Sequence, residues 1–302
     1  MKVTGTLTFN LQPLGPFKFV SKPYMLALTP PEIPEAQRKL VAWWKFDETE
    51  GSKAADSSDS NNIGILVGEP KWQPTGGKIG GALQFDGVDD YVETNFAGNL
   101  PVWSVAAWVN GNAAPASRGP SGLIHRDKNF QINWDHQNEN FRGAAGTQVA
   151  GTWYAASFKD LQANTWYHLV ATYDGENLKA YKDGALMTST STAVGGSDAE
   201  SETLKLGKHA LYTNATNHFG GILDDVRIYN YPLSQAEITA LYSGQTLPTT
   251  TQAQVPTPAQ TQAPPMAEEQ PGTSKKWIPP LIIVAVAVAA AALAIRKKKE
   301  TA

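Results

Sequence analysis

The sequence predicts an all-β domain, two antiparallel sheets packed face to face over residues 37–243, with one C-terminal transmembrane helix beyond it. Asp-Gly pairs at 86–87, 174–175 and 183–184 punctuate short aromatic and β-branched runs, the pattern of hairpin turns. Ten candidate strands fall within that stretch, which suits two packed sheets better than a small barrel. After it come nineteen uncharged residues, 277–295, closed by Arg296, Lys297, Lys298 and Lys299.

In chain order, residues 2–11 alternate, with Val3, Leu7, Phe9 and Leu11 on one face and Lys2, Thr4, Thr6, Thr8 and Asn10 on the other, so they read as a strand. A second extended stretch, 17–28, precedes the Pro-rich joint TPPEIPEA, and residues 1–36 therefore read as the end of an upstream domain. The expected strands of the main domain are 40–46, 82–85, 91–94, 102–109, 122–125, 130–134, 166–173, 178–182, 203–206 and 221–229. Ser234 with Glu237 forms a capping box that starts a short helix, and Gly244 ends it.

Residues 244–276 change to Thr, Pro, Gln and Ala without apolar periodicity and read as a stalk. The apolar segment 277–295 rises about 1.5 Å per residue as a helix, roughly 28 Å in all, enough for one bilayer crossing. Four cations after it outnumber Lys275 and Lys276 before it, which puts the tail 296–302 in the cytoplasm and the domain outside the cell.

Composition excludes several classes of chemistry. A net charge of −3 and a pI near 6.0 offer no basic stripe for nucleic acid. The absence of cysteine removes disulfides, thiolate metal sites and a Cys nucleophile. Histidines 125, 136, 168, 209 and 218 lack the close spacing of a zinc-hydrolase helix. In DSSDSNNIG, Asp59, Asn61 and Gly64 match the first, third and sixth places of an EF-hand loop. Ile63 and Pro70 occupy other ligand positions, so the stretch reads as a solvated loop.

For ligand binding, the polar and aromatic residues of 120–158 are the richest set: His125, Arg126, Asn133, Asp135, Arg142, Trp153 and Tyr154. Aromatic faces stack on sugar rings and planar polar groups fix hydroxyls. Trp153 and Tyr154 follow the Gly-rich segment GTQVAGT, where exposure is expected. In the last strand, alternation places Asp224 on a face with Ile222, Val226 and Ile228. A carboxylate there needs hydrogen bonds, an ion pair or a bound cation.

Four blocks in order, LVAWWKFDETEGSKAADSS, GGALQFDGVDDYVET, TWYHLVATYDGENLKAYKDG and FGGILDDVRIYNYPLSQAEI, resemble the laminin-G-like, concanavalin A-like jelly-roll family across nearly all of 40–243. The resemblance implies a curved two-sheet sandwich, a recognition module of secreted or surface proteins whose ligands range from glycans to proteins. It also implies a structural Ca²⁺ between the last-strand Asp and main-chain oxygens near the first strand, pointing to Asp224, Asp47 and Gly87. Some sugar-cleaving enzymes share the fold, but this chain has neither their Glu-x-Asp-x-x-Glu string nor a Gly-x-Ser-x-Gly elbow. The expectation is a non-catalytic, membrane-anchored surface protein that binds a glycan or another surface protein. The alternative is the membrane-proximal structural part of a larger envelope protein.

Overall fold

The computed structural model describes residues 29–112, 121–137, 140–209 and 217–247, all within one compact unit. The expected N-terminal strands, most of the stalk, the helix at 277–295 and the basic tail lie outside the described residues. Among the described residues no helix is long and apolar enough to cross a membrane.

The strands are β1 (Leu40–Trp44), β2 (Lys53–Ala54), β3 (Gly64–Val67), β4 (Lys71–Gln73), β5 (Ala82–Asp86), β6 (Tyr91–Thr94), β7 (Trp103–Gly111) and β8 (Ser121–Arg126). They continue as β9 (Phe130–Gln137), β10 (Asn140–Val149), β11 (Thr152–Leu161), β12 (Trp166–Tyr173), β13 (Asn177–Lys182), β14 (Ala185–Ser191), β15 (Lys205–Leu206) and β16 (Gly220–Tyr229), before helix α1 (Gln235–Tyr242). The first sheet runs β14-β13-β12-β7-β16-β5-β4, with β1 beside the second half of β16. The second runs β11-β10-β9-β8-β15-β6-β3-β2. All pairings are antiparallel, as expected for a two-sheet sandwich.

The inner faces meet in one core that includes Trp44, Trp103, Trp134, Phe46, Phe85, Phe130, Phe158 and Phe219, all fully buried. In β7 the odd residues Trp103, Val105, Ala107 and Val109 point into it, and the even ones face outward. A second cluster forms outside the first sheet, where Ile238 and Leu241 of α1 cover Ala106, Val170, Tyr181 and Tyr229. The capping box of α1 is present: Ser234 N donates to Glu237 Oε2 at 2.7 Å, and Glu237 N donates back to Ser234 Oγ. Asp183 and Gly184, at φ 51° and 81°, close the β13–β14 hairpin between Lys182 and Ala185, so this Asp-Gly pair makes the turn that it signals.

Two features depart from the sequence expectation. The hairpin β10–β11, ten residues in each strand, was not expected because NFRGAAGTQV shows no apolar alternation. Its core-facing residues are Ala145 and Val149 on β10 and Ala156, Phe158 and Leu161 on β11, with Tyr154 packed beside them. The other departure is a bulge in β16: Asp224 pairs with Trp108 and Arg227 with Ala106, so the strand holds one residue more than β7 over this step. Asp225 sits at φ 52° within it. The bulge changes the strand's parity, because Leu223 before it and Val226 and Ile228 after it all enter the core. Asp224 therefore faces outward, and does not share the face of Val226 and Ile228.

Candidate functional site

The outer face of the second sheet brings together part of the predicted ligand set. Register places Ala155, Gly146, Gln131, His125, Lys205 and Glu93 directly opposite one another, in a row that crosses six strands on one face. The neighbouring row holds Ser157, Ala144, Asn133 and Gly122. Trp153, two residues before Ala155, stands on the same face with 44% of its surface exposed.

This face has a low floor. Ala144, Gly146, Ala155 and Ser157 add little height beside the indole, and a Cβ on Gly146 would come within 2.5 Å of Gln131 Nε2, so the Gln131 amide lies across that glycine. Asn133 is 8% exposed, and its buried Oδ1 receives no hydrogen bond. A buried amide oxygen left in this way is costly, and a hydroxyl from a bound molecule would satisfy it. His125 is fully buried, its ring tilted 40° against that of His209 with the centroids 3.7 Å apart. Burial chiefly, then the neighbouring His209, holds the His125 imidazole well below its ordinary pKa, and burial lowers His209 to about 4. Both rings are neutral at pH 7. Lys205 is balanced by Glu93 at 3.4 Å and Glu202 at 3.9 Å.

The remaining predicted residues divide. Asp135 and Arg142 are opposite partners in the β9–β10 pair, two residues along from Asn133 and Ala144. Tyr154 points to the other side of the sheet from Trp153, packs on the core and accepts a hydrogen bond at its hydroxyl from Ala193 N. Arg126 is a correction. Its guanidinium is fully buried and donates to the carbonyls of Ala97, Gly98 and Glu200 and to Asn99 Oδ1, so it fastens loops inside the domain instead of standing on the outer face. Sequence adjacency could not separate such pairs, because a strand sends consecutive side chains to opposite faces.

The expected cation site is partly assembled on the other sheet. Asp224 is fully buried; its Oδ2 accepts from Ile79 N at 2.8 Å, and its Oδ1 receives no hydrogen bond. Asp47 Oδ1 accepts from Gly81 N at 2.8 Å, so both carboxylates bind the loop GGKIGG at residues 76–81. Burial first, then the charges of Asp225 and Asp47, raises Asp224 to about 7 against hydrogen bonds from the Ile79 and Lys78 amides. Two non-glycine residues with positive φ, Phe46 at 59° and Asp225 at 52°, flank the acids, a strain of the kind kept at functional positions. Two carboxylates, one with a bare buried oxygen, fit a hard cation that prefers oxygen ligands. Gly87 does not join them. It lies beyond the far end of β5, next to Asp86, which pairs with Gly220, roughly 13 Å along β16 from Asp224. There Asp86, Asp89 and Asp90 gather their oxygens within 4.8 Å, and Asp90 is buried as an acceptor for the amides of Glu69 and Asp86.

The profile of the concanavalin A-like lectin/glucanases superfamily matches residues 86–239, about half of the chain. The chain belongs to this superfamily. Its solved relatives by structure include domain 4 of AbnA, a GH43 extracellular arabinanase from Geobacillus stearothermophilus, described in complex with arabinotriose. That domain is 22% identical, with a TM-score of 0.54 over 68% of this chain and 98% of its own. The binding domain of botulinum neurotoxin serotype G gives 14% identity and a TM-score of 0.55, and that of Paraclostridial Mosquitocidal Protein 1 gives 15% and 0.53. This chain spans about half the length of each of those two toxin domains. At such identities the shared property is the fold. No curated protein gives a significant sequence match. Among the described residues, the outer face of the second sheet and the Asp224 pocket each leave a buried side-chain oxygen without a hydrogen bond, at Asn133 and at Asp224.

Proposed function

We propose that this chain is a non-catalytic recognition protein whose sandwich binds a glycan on the outer face of the second sheet, displayed outside the cell by the helix at 277–295. The observation that carries the reading is the pairing of an exposed Trp153 with the bare, buried Oδ1 of Asn133 across a floor of Ala144, Gly146, Ala155 and Ser157. One ring of an oligosaccharide stacks on the indole, and the hydroxyls of further rings reach the amides of Gln131 and then Asn133, which stands two strands across and four positions along from Trp153. The neutral imidazoles and the balanced Lys205 leave little net charge there, which suits a neutral sugar.

The arabinanase domain described with arabinotriose supports an oligosaccharide as the first ligand to try, and the toxin binding domains support a binding role for the same fold. A Ca²⁺ held by Asp224 and Asp47 would neutralise their charge and tie the first strand region to the last. The test is retention of the full chain on a printed array of neutral and acidic oligosaccharides, including arabinotriose, with Ca²⁺ and with chelator. Binding to a defined neutral class that Trp153→Ala removes is the expected result. An array blank in both conditions rejects the glycan reading and favours a protein ligand.

A further inference from the structure

Trp153 follows a tight turn at Ala150 and Gly151, both at positive φ, 50° and 78°. Two consecutive amides at such a turn have no strand partner. Both are taken up by one carboxylate from a distant segment: Ala150 N donates to Asp198 Oδ1 at 2.9 Å and Gly151 N to Asp198 Oδ2 at 2.8 Å. Asp198 N also donates to Gln148 O at 2.8 Å, directly before the turn.

We propose that Asp198 is the positioning residue of the Trp153 platform, and that a carboxyl pair at the foot of its strap, Asp127 with Glu200, holds it in place. The inference rests on the glycan-binding reading of this face. The strap, residues 197–200, is fastened at each step. Ser197 N donates to Pro101 O, and its hydroxyl takes the Trp103 indole N–H at 2.8 Å and meets Thr147 Oγ1 at 2.8 Å. Asn129 Nδ2 donates to Asp198 O, Glu200 N to Asn99 Oδ1, and Arg126 Nη2 to Glu200 O.

The side chains at the foot are two acids, 2% and 8% exposed. Glu200 Oε1 accepts from the amides of Ser201 and Glu202, and its Oε2 lies 3.4 Å from Lys128 Nζ. Asp127 Oδ1 is buried without an ordinary donor, and its carboxyl faces Glu200. The other charged groups around the pair are Arg126 at the start of the same turn, Glu202 just after the strap, and, more distantly, Lys205 and the buried His125. Burial, then the hydrogen bond and charge of Glu200, raises Asp127 to about 6. Burial works against ionisation of Glu200 too, but the amides of Glu202 and Ser201 and the Asp127 proton outweigh it, leaving Glu200 at about 2. Near pH 5 the pair shares one proton. As pH rises past about 6, Asp127 ionises and its proton no longer bridges to Glu200, so this link at the foot of the strap is expected to weaken.

The test uses the full chain and reads hydrogen-exchange protection of the Ala150 and Gly151 amides, acrylamide quenching of Trp153 by difference against Trp153→Phe, and retention on the printed oligosaccharide array. Asp198→Ala is expected to lower protection of both amides and retention about tenfold, with Asp198→Asn, which keeps one acceptor oxygen, in between. Wild-type protection is expected to fall about threefold between pH 5 and pH 7.5 after correction for intrinsic rates, and Asp127→Asn, which still donates to Glu200, to flatten that profile. Unchanged protection and quenching in Asp198→Ala, or the same pH profile in Asp127→Asn as in wild type, overturns the inference. These two readouts need no sugar, so the positioning role stands or falls separately from the binding reading, which fails if Trp153→Ala retains full array binding.

Discussion

Asp225 and Arg227 form a buried ion pair inside the β16 bulge, with Arg227 Nε and Nη2 each 3.0 Å from Asp225 Oδ1. The same oxygen accepts the Trp43 indole N–H at 2.6 Å, and the Arg227 guanidinium lies over the Trp43 ring at 4.4 Å. One carboxylate therefore joins β1 to β16 and sustains the bulge that turns Asp224 outward.

Asp225→Ala should destabilise the fold by about 3–5 kcal/mol, because it leaves Arg227 charged, buried and unpaired. Denaturant unfolding of the full chain measures this. A loss under about 1 kcal/mol would mean that the guanidinium reaches water once its partner is gone.

Calcium should raise the melting temperature if Asp224 and Asp47 hold it. A cation that binds only the folded state adds about 2.7 kcal/mol at a hundred times its Kd. Asp224→Ala should abolish the calcium-dependent shift, while Asp89→Ala, in the separate acidic turn beside Gly87, should leave it intact. A full shift in Asp224→Ala would reject the site.

Acid should weaken the fold through its buried histidines. His168 is lowered to about 3 by burial first and then by Arg227, and His209 to about 4 by burial. Both are depressed below the unfolded value, so the unfolded chain binds more protons and stability is lost as pH falls below about 6.5. Each contributes a loss of about 2 kcal/mol at pH 5 as an upper figure. Asp127 opposes this, since its raised pKa favours the folded state as pH falls from about 6 toward 4. In a series of unfolding curves from pH 7.5 to 4.5, His168→Gln should reduce the slope, and an unchanged slope would show that His168 becomes accessible before global unfolding.

Gly146→Ala should weaken binding as well as stability. Its Cβ would meet Gln131 Nε2 at 2.5 Å and Cγ at 2.9 Å, so the whole Gln131 side chain must swing away, at a cost of about 1–3 kcal/mol, and the methyl would fill the floor beside Trp153. Array retention and a melting curve on the same preparation separate the two effects.

The sequence by itself determined the strand-rich sandwich, the Asp183-Gly184 turn and the capped α1, because these depend on local chemistry: positive φ at a two-residue turn, a Ser with a Glu three residues on, and alternation in strands such as β7. It also singled out Trp153 and Asn133 by residue type and Asp224 by its apolar neighbours in the last strand, and the family resemblance pointed to Asp47. Only the tertiary structure decided which of these share a place. The β10–β11 hairpin carries small residues because Gln131 lies across Gly146, a constraint set by a neighbouring strand that no periodicity within NFRGAAGTQV reveals. Arg126 was separated from His125, and Tyr154 from Trp153, by the pleat that sends neighbours to opposite faces. One extra residue at Asp225 moved Asp224 to the outer face, and Asp198 reached the Trp153 turn from almost fifty residues away, 48 positions beyond Ala150. Turns and caps are legible because their partners are adjacent in the chain. Faces and long-range contacts are fixed by register and packing, which exist only once the sheets have formed.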